Sequence, residues 1–259
     1  MPDAACPAEL VDFAAHLGDI AAALLRDLAR VPPKVETKPD GTPVTDADRA
    51  VEAALRAAIR AAHPGHGILG EEFPPEREDA DFVWIIDPVD GTREYIQGLP
   101  LFGTLIALAC RGAIVLGLAR QPLTDDCWLG ADGHGTRWNN AAVAVRQCAS
   151  LDAAVLSTMG YDTFCAAEHA RLAPLRARAR EVVTADSFFV FGLLAAGRVD
   201  AIASRGFALH DYAALDAIIR NAGGLVTDWA GRRLTLASDG TIAAAGDARV
   251  QADLLAALV

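Results

Sequence analysis

The chain has 259 residues, 53% apolar and 22% charged, with a formal net charge of −11 and a pI of about 4.9. That balance allows a sizeable core and argues against nucleic-acid or anionic-membrane binding through bulk charge, so any anionic ligand needs a local source of positive charge. The five cysteines are scattered with no C-x-x-C pair and read as reduced thiols of a cytoplasmic protein; neither a basic leader nor a run of about 18 apolar residues is visible.

Apolar residues recur at helical spacing from Ala8 to Leu28, which predicts a first helix. "KVETKPDGTPVTDAD" reads as two extended segments about a Pro-Asp-Gly turn. Thr45 is placed to cap a second helix with Asp48 in the capping-box position, and that helix runs through "RAVEAALRAAIRAA" to stop at "HPGHG". His63 and His66 fit as turn residues. "GILGEEF" and "FVWIID" are short strands ending in acids, with Phe82 and Trp84 in the core. "GTLIALACRGAIVLGLARQP" predicts two strands about Arg111-Gly112, and "DCWLGADGHGTRWN" a further hairpin. Past residue 145 the pattern changes. Strands fit "AAVLSTM", "VDAIAS", "GLVTDW" and "TIAAAGD", and helices fit "AAEHARLAPLRARA", "SFFVFGLLAAG" and "YAALDAIIRNA". Their alternation predicts a partly parallel sheet covered by helices. Two halves, 1–145 and 146–259, are expected in one packed body.

The stretch "FVWIIDPVDGTREYIQGLP" places Asp87 and Asp90 three apart after a buried strand, although each repels the other. A buried carboxylate pair needs a proton or a metal between its members. With Asp90 as N-cap of a helix beginning at Gly91, both carboxylates, the Val89 carbonyl and the Thr92 hydroxyl can converge. All are hard oxygen donors, suited to Mg²⁺ or Mn²⁺ rather than zinc. The plainer alternative makes Asp90 a helix cap and Asp87 a turn residue. Glu71 and Glu72 end another strand, and Asp211 precedes a clean amphipathic pattern; three acidic termini could build a two-metal site with Asp90 bridging. The N–H groups of Gly91 and Thr92 would face a bound phosphate, and Arg93 either aids that attraction or makes a surface pair.

"GEE", "WIIDPVDGTREYIQGLP" and "HDYAALDAIIRNAGG", in that order, resemble the inositol-monophosphatase superfamily of metal-dependent, lithium-sensitive phosphatases. The resemblance implies a layered α-β-α-β-α sandwich of mixed α/β class, a homodimer, and hydrolysis of a small phosphate monoester with two or three Mg²⁺ ions. It implies Glu71, Asp87 and the Val89 carbonyl as ligands of one ion, with Thr92 close by. It implies Asp87, Asp90 and Asp211 as ligands of a second. Asp48 matches an acid that holds a further ion through water, in preference to Asp46, and Lys38 matches a nearby basic residue. Glu71 and Thr92 are then expected to orient and deprotonate the attacking water.

"ARQPLTDDCWLGADGHGTRWNN" and "FGLLAAGRVD", above all Gln121-Pro122 and Trp128-x-Gly130, look most similar to the histidinol-phosphate phosphatase branch. Two positions depart from it. Ser204 stands seven residues before Asp211, where an acid is usual, and Asp186-Ser187 replaces a Gly-Asp pair. Asp186 is the carboxylate expected near a substrate ammonium. His210 fits either a substrate contact or a helix-start histidine satisfied by backbone. The rival expectations are an inositol, sugar or nucleotide phosphatase, and an idle scaffold of the same fold.

Overall fold

The computed structural model describes residues 5–159, 164–183 and 187–258. Five layers stack as helices, sheet, helices, sheet, helices, as the resemblance implied. The first helical layer is α1 (Ala8–Leu28) and α2 (Asp46–Ala62), joined by the antiparallel hairpin β1 (Val35–Thr37) and β2 (Pro43–Thr45). Thr45 caps α2 in a reciprocal box with Asp48, as its sequence predicts.

The larger sheet contains β3 (Gly67–Gly70), β4 (Phe82–Asp90), β5 (Gly103–Cys110), β6 (Ala113–Arg120), β7 (Cys127–Ala131), β8 (Gly135–Trp138) and β9 (Ala141–Val143), side by side in that order. Only β3 and β4 run parallel, so β4 is flanked by one parallel and one antiparallel neighbour. Alternation assigns its side chains: Trp84 and Ile86 pack toward α1 and α2, while Ile85 packs the other way. The turn at Arg111-Gly112 has both residues at positive φ, which matches the twist of a tight hairpin.

The second sheet has the order β11 (Glu181–Val183), β10 (Val155–Ser157), β12 (Ala201–Ser204), β14 (Ile242–Ala245), β13 (Leu225–Thr227). It is partly parallel, as expected: β10 pairs in parallel with both neighbours and the rest is antiparallel. Helices α5 (Phe189–Ala195) and α6 (Leu209–Asn221) lie between the sheets, and α4 (Ala166–Arg178) with α7 (Ala248–Leu258) covers the outside. β9, β11 and α7 were not foreseen. The first two are three-residue edge strands, too short to show a period.

Glycine lets α6 sit on the larger sheet. A Cβ at Gly117 would stand 2.1 Å from the Ala214 carbonyl oxygen, and one at Gly130 would stand 2.7 Å from the Ile218 Cα. The Thr136 hydroxyl also donates to the Ile218 carbonyl at 2.7 Å. This close seat fixes where the N-terminus of α6 points. Gly117→Val is expected to lower unfolding free energy by roughly 3 kcal/mol, the upper range for overpacking. Gly65→Ala, with open space around it, should stay within about 0.5 kcal/mol of wild type. Urea midpoints at unchanged slope measure both.

Candidate active site

Side chains three residues apart on a regular strand point to opposite faces. β4 breaks that parity: Asp87 pairs with Leu105 and Asp90 with Gly103, so three steps on β4 meet two on β5. The extra residue makes a β-bulge at Pro88, which has no N–H to give a ladder. The buried Thr104 hydroxyl donates to the Pro88 carbonyl at 2.8 Å, and the Val89 N–H donates to Asp87 Oδ1 at 3.1 Å. With the bulge, Asp87 and Asp90 converge and Asp211 joins them. One carboxylate oxygen from each lies within 4.8 Å of the other two.

Two expectations about these acids need correction. Asp90 is not a helix N-cap: the strand continues through it, and Gly91 caps the six-residue α3 (Thr92–Gln97). Gly91 has φ +82°, and a Cβ there would stand 2.8 Å from the Leu101 carbonyl oxygen, so only glycine fits. Asp211 does not precede α6 but is its third residue, where its Oδ2 accepts the Ala208 N–H at 2.7 Å.

The other predicted residues arrive from separate elements. Lys38, on the β1–β2 hairpin, reaches Glu71 Oε1 at 2.7 Å and Glu72 Oε1 at 2.6 Å. Burial pulls the Lys38 ammonium down, but the two carboxylates outweigh it and hold its pKa above the ordinary value. Glu71 therefore stands beside the aspartate triple rather than inside it. The His210 ring is turned to carboxylates and not to backbone, with Nε2 at 3.4 Å from Asp211 Oδ1 and 3.9 Å from Glu71 Oε2. Asp48 Oδ2 accepts the Thr45 N–H at 2.8 Å and its hydroxyl at 2.6 Å. Its Oδ1 faces the Thr92 hydroxyl at 3.3 Å, which also reaches the Val89 carbonyl at 3.0 Å. Arg93 is exposed, with no ion pair among the described residues.

The departures behave differently. Ser204 is buried and donates to the Met159 carbonyl at 2.8 Å; Ser187 is buried and donates to the Leu101 carbonyl at 3.0 Å. Asp186 lies outside the described residues. Gln121 is a buried clamp, donating to the Pro100 carbonyl and accepting the Leu123 and Thr124 N–H groups. Trp128 is core, stacked on Trp138 and edge-on to Phe189. Sequence reasoning missed Glu52 and Arg56. Their i, i+4 spacing from Asp48, on a helix otherwise packed with Val51, Leu55 and Ile59, was the available signal.

Charge is unbalanced where the acids meet. Burial, then Asp90, Asp211 and Glu71, push Asp87 well above the carboxylate range. Burial and Asp211 push Asp90 up to about 8, against a Phe188 N–H that favours its charge. Burial raises Asp211, opposed by His210 and the Ala208 N–H, and burial raises Asp48, opposed by Thr45. No lysine or arginine pairs with the triple among the described residues. A hard divalent cation fits this all-oxygen set, because it supplies the missing charge.

These features define a layered α/β protein with an acidic, all-oxygen cluster suited to a hard cation. The chain belongs to the inositol monophosphatase family, whose model matches residues 7–259; it is a phosphatase of a family generally dependent on metal, typically Mg²⁺, and acting on small phosphate esters. It is 34% identical over 97% of its length to the chloroplastic bifunctional phosphatase IMPL2 of Arabidopsis thaliana, covering 78% of that protein. It is 35% identical to a histidinol-phosphatase of Mycobacterium tuberculosis, over 75% of this chain and 77% of that one. An inositol monophosphatase from Zymomonas mobilis superposes with TM-score 0.87 at 36% identity, covering 96% and 97% of the two chains. No helix among the described residues is long and apolar enough to cross a membrane.

The raised carboxyls fix the sign of a pH effect. Where the unfolded chain has already released these protons, the folded protein still holds them, so the contribution of these groups to stability falls as pH rises from about 4 toward 8. In EDTA, Asp90→Asn should match wild type near pH 4 and melt progressively higher than wild type up to pH 8. Its Tm should also lose most of the rise that Mg²⁺ gives wild type. Thermal melts with and without Mg²⁺ across that range measure both.

Proposed function

We propose that the protein is a cytoplasmic, homodimeric, Mg²⁺-dependent phosphomonoesterase that hydrolyses histidinol phosphate to histidinol and phosphate, a step of histidine biosynthesis. The observation that carries the metal-dependent reading is the aspartate triple, with Asp87 buried and Asp90 and Asp211 half-buried, and with no lysine or arginine partner among the described residues. In this reading Glu71, Asp87 and the Val89 carbonyl would hold one ion, and Asp87, Asp90 and Asp211 a second, with Mn²⁺ able to substitute. Asp48 would hold any third through water. When bound, the ions supply the Lewis acidity and positive charge that water activation and phosphoryl transfer need.

The chain's own groups then orient and take protons. Thr92 has a single hydroxyl proton and two acceptors, the Val89 carbonyl and Asp48 Oδ1. Giving that proton to either leaves its oxygen free to accept from a water. Asp48 has Oδ2 committed to Thr45, so Oδ1 is the oxygen available to receive a proton at the site. Its raised pKa, set mainly by burial, favours that transfer. Glu71 shares the work of orienting water, with Lys38 compensating its charge. Gly91, Thr92 and Arg93 are the groups for the phosphate, and Asp186 and His210 those for the rest of the substrate; Ser187 and Ser204, with their hydroxyls spent on backbone carbonyls, would contribute shape rather than a polar contact.

Histidinol phosphate is favoured by relatives named histidinol-phosphatase at 34–35% identity in Mycobacterium tuberculosis, Chlorobaculum parvum and Streptomyces coelicolor. Inositol 1-phosphate is the alternative, favoured by the Zymomonas mobilis structure. Phosphate release with Mg²⁺ separates them. Histidinol phosphate should exceed inositol 1-phosphate, 3′-phosphoadenosine 5′-phosphate and fructose 1,6-bisphosphate at least tenfold in kcat/KM, about 1.4 kcal/mol of discrimination. A reversed order selects the alternative, and silence across the panel with Mg²⁺ bound leaves a scaffold. Asp87→Asn should lose roughly 10³-fold in kcat on the preferred substrate, several kcal/mol of charge stabilisation.

A further inference from the structure

We propose that Glu52 is a positioning residue that sets Glu71 for metal, acting through the turn after β3; this rests on the reading of Glu71 as a ligand. Asp48, Glu52 and Arg56 lie at i, i+4 and i+8 on α2, forming a buried charged stripe. Asp48 ends the stripe at Thr92. Glu52, with no exposed surface, grips the chain at the other side of the site. Its Oε2 accepts the Glu72 N–H at 2.7 Å, and its Oε1 accepts the Phe73 N–H at 3.3 Å and the Arg56 Nε–H at 2.7 Å. Arg56 donates onward to the Phe73 carbonyl at 3.0 Å and to Glu76 at 2.7 Å. A Cβ on Gly70 would stand 1.9 Å from Glu52 Oε1, so the end of β3 lies directly on the carboxylate. Glu71 is the one residue between these two contacts.

Stability alone gives little reason for the pair. Replacing a buried ion pair by well-packed apolar residues is often neutral or stabilising. What apolar residues cannot do is bind the Glu72 and Phe73 N–H groups and the Phe73 carbonyl, which otherwise remain free to let the turn shift. The stripe thus makes α2 a rigid ruler between Thr92 and Glu71. A carboxylate ligand held by its neighbours' backbone approaches an ion without first losing the freedom of a loose turn.

A double-mutant cycle on Mn²⁺ affinity of the metal-free protein tests this, with free Mn²⁺ read by electron paramagnetic resonance. Glu52→Gln should weaken Mn²⁺ binding about tenfold in the wild-type background, the scale for a group that orients a ligand. In a Glu71→Gln background the same change should cost less than about twofold, since the residue it acts through is gone. Equal losses in both backgrounds, or none in either, overturn the proposal. If Glu71→Gln itself binds Mn²⁺ like wild type, the ligand reading fails and takes this inference with it. If Glu71→Gln is weak while Glu52→Gln is unchanged, the inference alone fails. Should Glu52→Gln not fold by far-ultraviolet circular dichroism, Arg56→Lys takes its place in the cycle. It keeps a cation beside Glu52 but lacks the fork that reaches Phe73 and Glu76, and the same background-dependent loss is expected.

Discussion

Mutual repulsion among buried carboxylates is the constraint on which the rest of this molecule depends. Burial pushes Asp87, Asp90 and Asp211 toward the protonated form, and neighbouring carboxylates add to it: Asp90 and Asp211 at Asp87, Asp211 at Asp90, and Glu71 at Asp211. A chain free to relax would separate them. Here they cannot separate: the β4 bulge fixes two, and the seat of α6 on Gly117 and Gly130 fixes the third. The three apolar clusters that hold sheet to helix on every layer therefore oppose a local electrostatic penalty. Sites that need charge concentrated in low dielectric commonly carry such a penalty against the fold that holds them.

The same concentration resolves the conflict between an acidic chain and an anionic substrate. A net charge of −11 gives no general attraction for phosphate, but it does attract divalent cations, and the acid cluster focuses that attraction at one point. Few basic groups stand near the cluster among the described residues. Lys38 is committed to Glu71 and Glu72, and His210 lies between Glu71 and Asp211. Positive charge for a phosphate is thus best supplied by bound ions, which matches the metal dependence general to the family.

Long periodic segments were legible in the sequence, because their pattern is set by one face of one element. The bounds of α1 were read correctly from Ala8 to Leu28, and the Thr45 cap from three residues. The acids of the site were legible too, since two carboxylates three apart at the end of a buried strand call for a compensating charge. Their geometry was not. Whether Asp90 caps a helix or ends a strand depends on its register with Gly103, thirteen residues away, and on Thr104 holding the Pro88 carbonyl. Register is a property of two strands, so no reading of one stretch could supply it. Glu52 was hidden for a related reason: on a helix surface it looks like a solvated charge, and only the turn after β3 buries it.

The segments that suggested a particular branch of the family prove to be packing elements. Gln121 locks two loops together through backbone groups, and Trp128 is wedged against Gly192, where a Cβ would stand 2.4 Å from the indole. Ser187 and Ser204 spend their hydroxyls on the Leu101 and Met159 carbonyls, so neither offers charge to a ligand. The candidate metal ligands and the departures from the family pattern thus stand on different elements. The acids are set by a bulge and a helix seated on rigid layers, whereas Ser204 ends β12 and Ser187 stands just before α5. The departures leave every carboxylate of the site in place, although Phe188, beside Ser187, packs against Gly103 and shares one apolar cluster with α6. Similarity across the whole chain therefore carries the chemistry with it more firmly than it carries the substrate.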